Sequence, residues 1–155
     1  MRTSDFPSIL RTLKHLMLTW LVIAAALASR AADAPDAKAV QGAWTPVKAE
    51  LAGQPLPDAV LKTISLKLHN GQYDVAVAGK PDAGTYTIDS SSKPKAMTIT
   101  GTDGPNKGKT FPAIYELEGD TLRICYDLSG EHRPADFKTV VGTRLYLVTY
   151  HRTKQ

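Results

Sequence analysis

Asn70-Gly71 stands between two runs that alternate with a period of two. Ile64, Leu66 and Leu68 alternate with Ser65, Lys67 and His69, and Tyr73, Val75 and Val77 alternate with Asp74 and Ala76. Both turn residues accept the positive φ of a type I′ turn, whose twist matches that of paired strands, so the segment predicts an antiparallel hairpin. The pattern recurs at 110–117 and Thr121–Asp127, which flank Gly119-Asp120. In the second of these, Leu122, Ile124 and Tyr126 share one face and Arg123, Cys125 and Asp127 the other. A run at 85–88 puts Tyr86 and Ile88 on one face after a turn at Lys80-Pro81-Asp82, and another at 97–100 follows a Ser/Lys/Pro loop. The last run, 144–151, is apolar on both faces. The first, Gly42–Leu51, leads into Gly53-Gln54-Pro55-Leu56-Pro57, after which 57–63 can hold one or two helical turns.

About eight short strands joined by tight turns define an all-β chain. Such a meander closes into a small antiparallel barrel, because closure removes exposed edges; a two-sheet sandwich is the competing outcome. One short helix is expected after the first strand. About 115 residues are left for this domain, over 40–153, enough for one core without staples. Cys125 is the single cysteine, so packing and strand pairing must supply stability.

The residues before the domain read as targeting. Arg2, Arg11, Lys14 and His15 form a basic start, and Leu16 to Ala28 is an apolar run ending in Ala26-Leu27-Ala28. That is the pattern of a signal peptide over 1–28 with an A-x-A cleavage site. The run is shorter than the ~20 residues of a membrane-spanning helix and is followed by Arg30 and Asp33, which argues against an uncleaved anchor. No cysteine follows it for lipid attachment. Residues 29–39, rich in Ala, Asp and Pro, read as a flexible leader. The chain is therefore expected to be exported, to the periplasm or beyond, as a monomer without a stable membrane anchor. Of its 19 basic and 15 acidic residues, Arg2, Arg11, Lys14 and Asp5 lie within 1–28, so the excess of +4 falls by two outside it. Near balance is not the concentrated basic face that a nucleic acid requires.

Few groupings suggest chemistry. Asp103-Gly104-Pro105-Asn106-Lys107-Gly108-Lys109-Thr110 approaches the phosphate-binding G-x-x-x-x-G-K-[ST] loop, but Asp103 replaces its first glycine, and Phe111-Pro112 with strand formers follows where a helix is required. His69, His132 and His151 stand alone, so no zinc ligand set is present and no cofactor is called for. Cys125 has Arg123 beside it but no general base, and reads as a packed wall residue; Arg123 or Arg133 with Asp127 would complete a catalytic alternative. Glu116 and Glu118 flank a solvated hairpin end and are not assigned acid-base work. No enzyme is expected. The remaining set is an aromatic and aliphatic lining of the barrel interior: Trp44, Leu66, Tyr73, Tyr86, Met97, Tyr115, Ile124 and Tyr126. Strict alternation would turn Trp44 outward with Lys48 and Glu50, so its inward placement needs a bulge near Pro46. These side chains either fill the barrel or leave room for one small ligand.

Gly42-Ala43-Trp44, Gly53-Gln54-Pro55-Leu56-Pro57, Lys93-Pro94-Lys95-Ala96 and the stretch 101–109 occur in order. Ile114-Tyr115-Glu116-Leu117 with Gly119-Asp120-Thr121-Leu122, then Cys125, Arg133-Pro134 and Phe137 follow. Together, over about 39–152, they resemble the uncharacterised lipocalin-like domain family found mainly in planctomycete-type bacteria. The resemblance implies a small antiparallel barrel, often exported or appended to other domains. It implies no reaction, ligand or catalytic residue. Two functions follow as expectations: a module holding a small apolar or amphipathic ligand in the barrel, or an interaction domain with a filled core, contacting an envelope protein through loops at 103–109 and 129–137.

Overall fold

The computed structural model describes residues 35–154, so the signal peptide expected over 1–28 and the first part of the expected leader, 29–34, lie outside the described residues. A helical segment, α1, covers 35–39. There follow β1 (Gly42–Leu51), β2 (Gln54–Pro55), α2 (Asp58–Leu61), β3 (Ile64–His69), β4 (Gln72–Val77) and β5 (Lys80–Asp89). The chain continues through β6 (Ala96–Asp103), β7 (Thr110–Glu118), β8 (Thr121–Asp127) and β9 (Leu145–Arg152). From β3 to β9 each strand pairs antiparallel with the next, β1 pairs with β3 on one side, and β9 returns to pair with β1 from Trp44↔Arg152 to Leu51↔Tyr146. The result is a closed eight-strand barrel, β2 being a two-residue extension of the β1 hairpin.

The turn chemistry accounts for most of this topology. Asn70 (φ 49°) and Gly71 (φ 75°) are both left-handed, as a type I′ turn requires, and His69 faces Gln72 across them. Ala78 (φ 51°) and Gly79 (φ 77°) form a second such turn, with Val77 opposite Lys80. This corrects the turn expected at Lys80-Pro81-Asp82: those residues belong to β5. Pro81 is tolerated because β6 pairs with β5 only from Ala83 onward, so its missing N–H removes no ladder bond on that side.

Two bulges set which side chains enter the barrel. In β1, Pro46 faces Tyr150 and Lys48 faces Thr149, leaving Val47 as an extra residue. The parity shift lets Trp44 and Ala49 both point inward, with Trp44 at 1% exposure. Between β5 and β6, Ala83 faces Asp103 and Gly84 faces Gly101, so Thr102 is the extra residue. A side chain at Gly84 would meet the Thr100 carbonyl oxygen and the Tyr73 ring, so glycine there lets the ring lie across the strand.

Residues 128–144 leave the barrel and cross its outer wall. Arg133 Nη1 donates to the carbonyls of Met97 (2.6 Å) and Ala113 (2.5 Å), and Arg123 stacks on the Phe137 ring at 4.4 Å. Buried Ile114 and Cys125 face each other on β7 and β8, and Leu147 pairs with Cys125 on β9. This outer cover explains why the sequence of β9 is apolar on both faces. The leader is likewise not free at its end: α1 is docked, with Val40 fully buried and Asp36 bonded to β7.

Candidate functional site

The barrel has a plugged end and an open end. At the plugged end Trp44 Nε1 donates to the Val40 carbonyl (2.9 Å), and the Arg152 guanidinium lies 4.2 Å from the centre of the Trp44 ring. Arg152 also donates to the carbonyls of Gln41 (2.6 Å) and Ala39 (2.9 Å) and to Asp120 Oδ1 (2.9 Å), fastening the exit of α1 to the hairpin between β7 and β8. Tyr115 Oη and Lys95 Nζ both donate to Asp36 Oδ2, at 2.7 and 2.6 Å. Burial pushes the Asp36 carboxyl upward, but these bonds outweigh it and hold the group below its ordinary range. Trp44 and Tyr115, both expected to line a ligand space, are instead floor residues committed to these contacts.

Above that floor the interior is not filled. A cavity of about 350 Å³ runs from mid-barrel to the open end. Leu66, Tyr73, Tyr86, Met97, Ile124 and Tyr126 line it, the other six of the eight expected residues. β3 and β4 supply further aliphatic residues of the same parity, Ile64, Leu68, Val75 and Val77, and Ile99 and Phe111 extend the wall. Tyr146 and Tyr150 complete it from β9, where the consecutive apolar residues from Leu145 to Val148 hide the inward face. Leu51, Leu56 and Val60 form part of the rim through the β1–α2 connection, and Leu128 and Asn106 enter from loops. No period-two signal marks those loop residues.

The wall is almost entirely carbon, with polar groups gathered among the tyrosines. Tyr126 and Tyr146 stack at 5.8 Å with 21° between their planes. The Tyr150 hydroxyl is hydrogen-bonded to that of Tyr126. Burial raises the phenol pKa of Tyr73, Tyr126 and Tyr150 and pushes Tyr146 up to about 12, so the lining phenols stay neutral through the physiological range. Asp82 is the single charged residue in the lining. The residue is 7% exposed, and its carboxylate accepts from Tyr73 Oη (2.9 Å), the Asn106 backbone N–H (2.9 Å) and Asn106 Nδ2 (3.1 Å). This saturated carboxylate ties the β6–β7 loop to β5 beside the opening.

The residues weighed for catalysis do not converge on this space. Cys125 is fully buried under the 128–144 segment, its thiol facing the Lys138 carbonyl at 3.7 Å. Burial pushes that thiol up to about 11, against the pull of Lys138 and Arg123. Asp127 is occupied by Ser129 and His132, Arg133 by strand carbonyls, and Glu116 pairs with Arg123 at 3.5 Å. Among the described residues no group of three His, Cys, Asp or Glu is placed to hold a metal ion, and no helix is long and apolar enough to cross a membrane. The glycine-lysine stretch at 104–109 joins two strands, β6 and β7, and opens no helix. Comparison with protein-family models, curated proteins and solved structures gave no match in any of the three.

Proposed function

We propose that this chain is an exported, non-catalytic binding module that holds one small apolar or amphipathic molecule inside its barrel. The observation that carries this reading is the cavity of about 350 Å³, bounded mainly by strands and lined by mostly apolar side chains, with Asp82 its single charged residue. An apolar cavity of about 150 Å³ is enough to admit benzene, so this one suits a molecule about twice that size. The signal-like segment at 1–28 supports export, and the ordered residue pattern from Gly42 to Phe137 supports membership in the lipocalin-like family it resembles. The absence of reaction rests on Cys125, whose raised pKa and cover disfavour a nucleophilic thiolate. An interaction domain with a filled core is the competing reading, and the open interior argues against it.

Native mass spectrometry of the protein purified from its own envelope tests the proposal. The expected spectrum contains chain shortened by the N-terminal segment, with a fraction carrying one bound small molecule that is lost on denaturation. Recovery of uncleaved chain would contradict export. A stoichiometric protein partner with no small molecule would contradict ligand binding.

A further inference from the structure

The cavity does not end at the barrel rim. A groove of about 780 Å³ adjoins it, and Leu51, Asn106, Phe111 and Leu128 belong to the walls of both. The two spaces differ in chemistry. The inner one is apolar and has no cationic side chain. The outer one is lined by Lys109 and Arg144, by the hydroxyl-bearing Thr110, Ser129 and Thr143, and by no carboxylate. Among the described residues neither Lys109 nor Arg144 has an acidic partner, and neither side chain makes a hydrogen bond.

Two free cations at the mouth of an apolar cavity that holds no cation of its own discriminate between ligand types. A carboxylate or phosphate placed inside the barrel would lose its hydration with no cation to replace it, which is strongly unfavourable. The same group in the outer groove stays partly hydrated and gains charge-assisted hydrogen bonds. Asp82 adds a carboxylate to the inner wall, its three hydrogen-bond donors all uncharged, and so further disfavours an anionic head inside the barrel. The inner volume corresponds to roughly a dozen water-sized spaces, room for one short chain and not two.

We infer that the ligand is a single-chain anionic amphiphile, its chain in the barrel and its carboxylate or phosphate head between Lys109 and Arg144. The inference rests on the binding reading above and adds the charge and orientation of the ligand. Lys109 and Arg144 act as specificity-determining residues; the apolar wall supplies most of the affinity.

Isothermal titration calorimetry at low ionic strength with decanoate, decyl phosphate and decanol tests it, on the wild-type chain and on Lys109→Gln/Arg144→Gln. Both substituted side chains are exposed, so the barrel is expected to fold unchanged. The wild type should bind decanoate or decyl phosphate about tenfold more tightly than decanol, an advantage that shrinks with added salt. Whichever anion binds more tightly identifies the head group. The double variant should lose that advantage and bind decanol as the wild type does. Equal affinity for decanol and the anions in the wild type would overturn the inference while leaving the cavity reading intact. An anion preference that survives the double substitution would also overturn it. If none of the three binds, the cavity reading falls as well.

Discussion

Ala78 occupies a backbone conformation that alanine seldom adopts. Its φ of 51° places Cβ close to the following carbonyl, a cost of about 1–2 kcal/mol that asparagine lessens by local hydrogen bonding and glycine avoids. The neighbouring Gly79 has no heavy atom near the place where a side chain would begin, so this hairpin tip is open to solvent. Ala78→Asn should therefore stabilise the protein by about 0.5–1 kcal/mol, seen as a higher urea midpoint with an unchanged slope. An unchanged or lower midpoint would mean that the strain at this turn is relieved elsewhere. The same residue explains a gap in what the sequence discloses. Asn70-Gly71 announces its turn, whereas Ala78-Gly79 has only its glycine, and Lys80-Pro81-Asp82 looks like the better turn. The proline is accommodated by where β6 begins to pair, which depends on tertiary structure.

The 128–144 segment, running from the end of β8 to the start of β9, is organised from Asp127. One carboxylate oxygen accepts from the Ser129 N–H (2.9 Å) and hydroxyl (2.6 Å), and the other from the His132 N–H (2.8 Å). Burial raises the pKa of Asp127, but these bonds lower it by more, leaving it below its ordinary value. A carboxyl with a depressed folded pKa contributes stability that is complete above its unfolded value of about 3.9. That contribution is lost as pH falls through the lower folded value, and Asp36 acts in the same direction. Asp127→Asn removes the charge and points an amide donor toward existing donors. It should lower stability at pH 7 by about 1–3 kcal/mol and flatten the decline between pH 5 and pH 3. Urea titrations at those pH values check this; an acid decline as steep as the wild type's would remove Asp127 from the account. The segment also limits what can be foreseen for the strands. Alternation identifies Leu122, Ile124 and Tyr126 as inward, but on β9 it cannot separate Leu145 and Leu147 from Tyr146 and Tyr150. Both sets are apolar because the outer wall is covered too, and that cover consists of residues without regular spacing. A bulge near Pro46 makes Trp44 legible as inward, yet its pairing with Arg152 brings together residues more than a hundred positions apart and leaves no local sign.

As a whole, the molecule joins a tightly bonded floor to an unfilled interior. The floor concentrates Trp44, Tyr115, Asp36, Lys95 and Arg152 in mutual contacts, while the open half is bounded by short connections and partly exposed aliphatic residues such as Leu51, Val60 and Val77. Stability and ligand capacity are therefore assigned to different ends, which separates them experimentally. Val75 is only partly buried and lines the cavity from β4. Enlarging it to phenylalanine should fill space and raise stability by about 0.5–1 kcal/mol, while taking volume from any ligand. Filling a solid core would instead create strain of about 1–3 kcal/mol. The most direct measurement is a fluorescence titration with the neutral probe N-phenyl-1-naphthylamine, comparing the wild type with Val75→Phe. The account predicts saturable binding of one probe per wild-type chain, weakened at least tenfold in a variant that is no less stable. Absence of saturable binding in the wild type, or unchanged binding in the folded variant, would contradict a ligand-holding barrel.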